Sequence, residues 1–233
     1  MKAMIFAAGR GERMGELTKD MPKPLLTVNG KPLIAHTIEN LRKAGVKDVV
    51  INLAYLGNQI EQAIGEGDEY GVNIKYSFEP YPLETAGAIV FASKLLGDAP
   101  FILTNADVWT TFPYKDLIEK KLSSSVLGHL VMVENPEHNP LGDFVLNENG
   151  FLSADTNINK DTAVSNNKKL TFSGISLINP SLVLDYHNKR EKFPLVEVFK
   201  DAMERNELSG EYYHGEWQDI GTPERLAAIQ KNQ

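Results

Sequence analysis

The chain contains no cysteine, which rules out disulfides, thiolate nucleophiles and cysteine-based metal centres. It has no apolar run long enough to span a membrane or serve as the core of a signal peptide, since the opening Met4-Ile5-Phe6-Ala7-Ala8 stops at Gly9. Basic residues are in deficit, 24 against 31 acidic ones for a net charge of −7 at pH 7. A general nucleic-acid or membrane-surface binder needs a sequence-wide cationic footprint, and this chain has none. Any contact with phosphate has to be local. Two common phosphate motifs are missing as well. A dinucleotide fingerprint continuing from Gly9-x-Gly11 would need glycine where Met14 stands, and no Gly-x-x-x-x-Gly-Lys-Ser/Thr run occurs. The expected compartment is the cytoplasm.

What is present near the start is more specific. Ala7-Ala8-Gly9-Arg10-Gly11-Glu12-Arg13-Met14 closes an apolar strand, and Pro22-Lys23-Pro24-Leu25-Leu26 follows. Small residues let backbone N–H groups approach a polyphosphate, and Gly9 and Gly11 are expected to adopt the unusual dihedrals that such a wrap needs. Arg13 and Lys23 place cations where phosphate oxygens would lie, and the prolines on both sides of Lys23 fix where its ammonium points. The segment reads as a flexible nucleotide grip; a glycine-rich turn with surface cations is the simpler alternative.

The length of 233 residues suits one α/β domain. Strand-like runs at 2–8, 48–53, 73–77 and 100–105 alternate with helix-period stretches at 33–44 and 86–96, each ended by glycine. That is the pattern of βαβ units around a mainly parallel central sheet flanked by helices. After about Ser123 the alternation loosens. Strands are expected at 126–133, 170–178 and 217–220, helices at 195–205 and after Thr222, and polar loops at 147–150 and 157–169. The expected division is a nucleotide-binding half over about 1–122 and a second half over about 123–233. No six-residue periodicity follows Gly210, so neither a β-helix nor the trimer it would build is expected; a monomer with one reaction is.

Two aspartates stand at predicted strand ends. Asp107 follows Phe101-Ile102-Leu103-Thr104-Asn105-Ala106, and Asp219 lies in Trp217-Gln218-Asp219-Ile220-Gly221-Thr222-Pro223. A pair of carboxylates suffices for Mg²⁺, which retains waters and takes substrate phosphates; each alone reads more readily as a loop acid or helix cap. Gly142 and Asp143, Ser173 and Gly174, and Asn105 are candidates for a sugar, with a hairpin turn and a strand bulge as alternatives. The five histidines read as structural or surface residues.

The stretch from Met4 to Leu26 resembles the signature of the sugar-1-phosphate nucleotidyltransferases, L-A-A-G-x-G-x-R-[LM] followed by P-K-P-[LM]. Residues 217–223 match that family's W-x-D-[IV]-G-T-P segment position by position. The resemblance implies a Rossmann-like fold in which Ala8, Gly9, Gly11 and Glu12 hold a nucleoside triphosphate. It gives Arg13 the β- and γ-phosphates, Lys23 the α-phosphate, and Asp107 and Asp219 the metal, Mg²⁺. Arg13, Lys23 and Asp107 would be the catalytic set. Leu83-Glu84-Thr85-Ala86-Gly87 resembles the L-x-T-[AG]-G segment that lies against the nucleobase in that family, which would put Thr85 and Gly87 there; Gly87 would permit close approach of a flat ring, and helix N-terminal chemistry is the alternative. The sugar 1-phosphate would attack the α-phosphorus and displace pyrophosphate, with no protein nucleophile. The segments L-E-T-A-G, N-A-D-V-W, G-D-F and T-F-S-G-I resemble most closely the branch that uses UTP and N-acetylmuramic acid 1-phosphate to make UDP-MurNAc in peptidoglycan recycling. Guanylyltransferases of mannose or heptose phosphates, small cytidylyltransferases, and a catalytically silent nucleotide-sugar-binding regulator are the alternatives.

Overall fold

A computed structural model describes residues 1–154 and 168–231 of the chain. Strand β1 (Lys2–Phe6) opens it, followed by short 3₁₀ stretches at Glu12–Thr18 and Lys23–Leu25. A two-stranded ribbon, β2 (Thr27–Val28) and β3 (Lys31–Pro32), leads into helix α1 (Leu33–Lys43). Then come β4 (Asp48–Leu53), α2 (Gly57–Ile64), β5 (Asn73–Phe78), α3 (Glu84–Leu96) and β6 (Phe101–Asn105). The remainder comprises β7 (Val108–Thr110), α4 (Tyr114–Glu119), β8 (Gly128–Val133), β9 (Phe144–Leu146), β10 (Leu152–Ser153), β11 (Lys168–Ile178), α5 (Ser181–Leu184), α6 (Leu195–Glu204), β12 (Leu208–Tyr212), β13 (Trp217–Asp219) and α7 (Pro223–Lys231).

One mixed nine-stranded sheet runs through both halves. Strands β5, β4, β1 and β6 lie side by side and parallel, with Phe6 level with Asn52 on one neighbour and Asn105 on the other. Strand β11 continues the sheet antiparallel to β6 and then pairs with both β8 and β9. Antiparallel pairing therefore begins where the sequence loses its βα alternation. From β1 the chain moves outward through β4 and β5, then returns to the other side of β1 to lay down β6. The order reverses at β1, and a crevice opens beyond its carboxyl end.

Strand alternation separates the two main cores. Ala3, Ile5, Val49 and Ile51 face Ile34, Ile38 and Leu41 of α1 and Ile60 of α2. Met4, Val50 and Leu103 face Ile89 of α3 and Phe199 of α6 on the other side. Sheet strands covered on both faces read as continuous apolar runs, as β1 and β4 do. Helix α1 shows how local sequence sets an element's end. Its apolar positions recur at helical spacing, and Gly45 at φ +100° closes it with Gly45 N donating to Arg42 O (2.9 Å) and Val46 N to Leu41 O (3.1 Å). Arg42 and Lys43 sit favourably at the negative end of the dipole.

Several expectations are corrected. The polar loop at 157–169 falls outside the described residues except for Lys168 and Lys169, which already belong to β11. The grip is no featureless loop, since Glu12–Thr18 is 3₁₀ helix broken by Gly15. Helix α2 and strands β7, β9 and β12 were not legible, because each is short and takes its order from neighbours. Among the described residues, no helix is long and apolar enough to cross a membrane.

Candidate functional site

The crevice at the carboxyl ends of β1, β4, β5 and β6 is a cleft of about 750 Å³, within the range of small-molecule sites. Ala8, Gly9, Gly11, Glu12, Arg13, Lys23, Thr85, Asn105 and Asp107 all line it, so most of the residues singled out from sequence come together here. The two glycines of the grip do different things. Gly11 has φ +65°, and a side-chain carbon on it would lie 3.1 Å from both Lys23 Cβ and Thr18 Cγ2; the aliphatic stem of Lys23 passes where that side chain would be. Gly9 has no positive φ, contrary to expectation, and nothing within 4 Å of a side-chain carbon. Its contribution is open space beside the backbone. Thr18 fastens the turn by donating from Oγ1 to Gly11 O (3.0 Å).

Lys23 is buried, and its ammonium forms an ion pair with Asp107 Oδ2. Arg13 is exposed toward the cleft and has no hydrogen bond or ion pair among the described residues. Asp107 is tied to Asp219 through the backbone. Strand β13 pairs with β7, setting Asp219 opposite Val108, and Ile220 N donates to Asp107 O (2.8 Å). The Asp219 carboxylate is held on one oxygen: Arg225 Nη1 lies 2.6 Å and His138 Nε2 2.9 Å from Oδ1. Asp219 itself does not line the cleft, whereas Gly221, two residues on, does.

The far wall begins with a polar relay that sequence reasoning missed. Ala7 N donates to Asn52 Oδ1 (2.9 Å), Asn52 Nδ2 donates to Glu79 Oε1 (2.7 Å), and Leu83 N donates to Glu79 Oε2 (2.8 Å). Burial pushes the Glu79 carboxyl above its ordinary range, against the pull of the Asn52 and Leu83 donors. The relay joins the start of the grip to the segment entering α3. Thr85 lines the cleft but accepts Leu195 N on its Oγ1 (2.7 Å). Gly87 is not at the cleft surface; a side-chain carbon there would lie 2.4 Å from Glu191 O, and Gly87 N donates to Phe193 O (3.2 Å).

The sugar candidates divide. Gly174, at φ +80°, abuts Asn105, whose Nδ2 would lie 2.6 Å from a side-chain carbon on it. Ser173 is buried, its Oγ accepting Ile175 N (3.1 Å) and its carbonyl accepting Trp217 Nε1 (2.9 Å), within a register shift of β11 against β8. Gly142 and Asp143 are not in the cleft lining. Gly142 packs on Asn135, and Asp143 accepts Asn139 Nδ2 on Oδ1 (3.0 Å) and Phe172 N on Oδ2 (2.8 Å). His138, read as a surface residue, is exposed yet touches Asp219.

The profile of the nucleotidyl transferase family matches residues 2–233. The chain belongs to that family. This nucleotidyltransferase is 44% identical over 233 residues to N-acetylmuramate alpha-1-phosphate uridylyltransferase of Neisseria meningitidis serogroup B, covering 99% of this chain and 97% of that protein. It is 34% identical to mannose-1-phosphate guanyltransferase of Hypocrea jecorina over 96% of its own length and 61% of the relative's. Among solved structures it resembles a putative glucose-1-phosphate thymidylyltransferase from Bacillus anthracis in complex with a sucrose (TM-score 0.83, 19% identity, 100% and 94% of the two chains covered). It also resembles HddC from Yersinia pseudotuberculosis complexed with GMP-PN (TM-score 0.78, 22% identity, 99% and 98% covered). Both structures share the fold.

Two carboxylates are what this nucleotidyltransferase offers a metal. Among the described residues there is no cluster of three or more histidine, aspartate or glutamate side chains that could hold an ion unaided. Asp107 and Asp219 are hard oxygen donors, and Asp219 Oδ2 has no partner among the described residues. That donor set fits a divalent ion completing its shell with phosphate oxygens and water. Asn52, Glu79 and Lys192 also line the cleft. They carry no motif, and only the strand register brings Asn52 beside Ala7.

Proposed function

We propose that the protein transfers a uridylyl group from UTP to N-acetylmuramic acid 1-phosphate, giving UDP-MurNAc and pyrophosphate in peptidoglycan recycling. The observation that carries the chemistry is the convergence of the grip, Lys23 and Asp107 at one point of the cleft mouth. The 44% identity to the Neisseria uridylyltransferase over nearly the full length of both chains supports the choice of base and sugar. The division of labour proposed is a nucleotide-binding half over about 1–122 and a sugar-binding half over about 123–233, acting as a cytoplasmic monomer.

Both substrates are anions, so the protein has to offset their repulsion and hold an in-line approach. Ala8, Gly9, Gly11 and Glu12 form the wall along which the triphosphate lies, with Gly9 leaving room for its phosphates. Lys23, anchored by Asp107 and by the packing of its stem under Gly11, aims its ammonium at the α-phosphate. Arg13, free of partners among the described residues, takes the β- and γ-phosphates and stays with the departing pyrophosphate. Asp107 and Asp219 would hold Mg²⁺, which when bound withdraws charge from the phosphate oxygens. Thr85 lines the end of the cleft assigned to the base, with Gly87 packed behind it against Glu191; Asn105, Ser173 and Gly174 shape the end assigned to the sugar, with Gly142 and Asp143 behind it.

The test is pyrophosphate release from each of four nucleoside triphosphates paired with several sugar 1-phosphates, with Mg²⁺ and with EDTA. The expected result is release with UTP and N-acetylmuramic acid 1-phosphate, abolished by EDTA. Preference for GTP with mannose 1-phosphate would move the protein to the guanylyltransferase branch, and silence with every pair would leave a nucleotide-sugar sensor.

A further inference from the structure

We infer that Arg225 is a second guanidinium for the leaving pyrophosphate, paired with Arg13 across Gly221; the inference rests on the nucleotidyl-transfer reading above. A side-chain carbon at Gly221 would lie 2.3 Å from Arg225 Nη2 and 3.2 Å from Arg13 Nη2. The two guanidinium groups therefore approach one another over the bare backbone of a residue that lines the cleft. Arg225 comes from the first turn of α7 and Arg13 from the grip, so the pairing exists only in the folded chain.

The nitrogens of Arg225 are divided in their use. Nη1 donates to Asp219 Oδ1 at 2.6 Å and lies 2.8 Å from His138 Nε2, whereas Nη2 has no acceptor among the described residues. Arg225 is largely buried, with 15% of its side chain exposed, so Nη2 is held in place by its surroundings. Arg13 also lacks a partner among the described residues. Two close cations with donors to spare repel one another until an anion with several oxygens lies between them, and guanidinium forks match phosphate oxygens in pairs. Arg13 belongs to the same turn as Gly9 and Gly11, so the anion that satisfies both is the terminal end of the triphosphate and then the pyrophosphate that leaves. Through Nη1, Arg225 also fixes the Asp219 carboxylate by one oxygen and leaves Oδ2 free. A side chain at Gly221 would separate the pair.

Calorimetric titration with inorganic pyrophosphate, in Mg²⁺ and separately in EDTA, tests the assignment without needing turnover. For Arg225→Gln the pyrophosphate Kd is expected to rise at least tenfold in both media, with partial recovery in Arg225→Lys. In turnover assays the KM for the sugar 1-phosphate is expected to change less than threefold. An unchanged pyrophosphate Kd with only a raised Mg²⁺ requirement would reduce Arg225 to a support for Asp219 and overturn the inference. So would a defect confined to the sugar 1-phosphate KM, which would put the anion on the other substrate. Arg225→Lys retains a donor for Asp219 and carries the comparison if the glutamine variant melts early. Arginine-dependent pyrophosphate binding in a protein that turns over no substrate pair would sink the transfer reaction while upholding the site.

Discussion

The mouth of the parallel half and the bulged end of the antiparallel half both carry polar side chains, yet they dispose of them differently. Around β11, Asp143 is bonded to Asn139 and Phe172, Thr171 donates to Asn135 Oδ1 (2.9 Å), and Ser173 caps its own bulge. These groups satisfy one another. At the mouth beyond β1 and β6, Arg13 has no partner among the described residues, and Lys23 is bonded only to the carboxylate that would share its substrate. Unspent donors facing a cleft are poised for a ligand, whereas a closed hydrogen-bond set mainly holds a shape. The difference separates the residues expected to act on phosphate from those expected to build the wall behind the sugar.

The sharpest way to break this comparison is Lys23→Ala. A hydrogen bond to a charged group is worth roughly 1.5–3 kcal/mol, so kcat is expected to fall at least about tenfold, read by pyrophosphate release. Unchanged turnover would remove Lys23 from the mechanism and erase the contrast at its strongest point. Next in size is Gly87→Val, which drives a side chain into Glu191 O. Overpacking of this kind costs about 1–3 kcal/mol, and at this chain length each kcal/mol lowers Tm by roughly 2–4 °C. A thermal melt shifted by several degrees is expected; an unshifted melt with a raised KM for UTP would instead make Gly87 a contact for the base.

Asp143→Ala removes the acceptor for Phe172 N and for Asn139. A loss of about 1–3 kcal/mol of stability is expected from the donors left behind, with a threefold or smaller change in the KM for the sugar 1-phosphate. A tenfold rise would show that this carboxylate also takes sugar hydroxyls. The smallest effect concerns pH. Because burial raises the folded-state pKa of Glu79, its contribution to stability is fully present below the unfolded value and is lost as pH rises through the folded one. The Tm advantage of the wild type over Glu79→Gln should therefore be greatest near pH 4.5 and shrink toward neutrality. A gap that widens with pH would mean that the relay to Asn52 and Leu83 favours the carboxylate more than burial opposes it.

Much of the fold was legible because its long elements agree locally and globally. The β4 segment and α1 carry their periodicity and their stops within themselves, so their bounds were predicted within a residue. The grip was legible for the same reason: glycine, arginine and a proline-flanked lysine lie close together in the chain. The Asn52–Glu79 relay was not, because asparagine at the end of an apolar strand has no meaning until a register is known. Gly87 illustrates the opposite error. Read along the chain, it suggested room for a flat ring; in space it makes room for the carbonyl of Glu191, 104 positions later.

The sequence alone marked a local phosphate grip and two strand-end aspartates, in a chain with no cysteine, no basic footprint and no P-loop, and its resemblance to the sugar-1-phosphate nucleotidyltransferases supplied the class of chemistry. The sequence also determined the parallel half, where each helix and strand is specified by its own residues. Tertiary structure decided which of those residues meet. The reversal of strand order at β1 set Asn105 and Asp107 beside the grip, the β7–β13 pairing carried Asp219 next to them, and the bare backbone of Gly221 let Arg13 and Arg225 approach one another. Contacts of that kind depend on register and on the absence of side chains, and neither is written in the neighbourhood of any single residue.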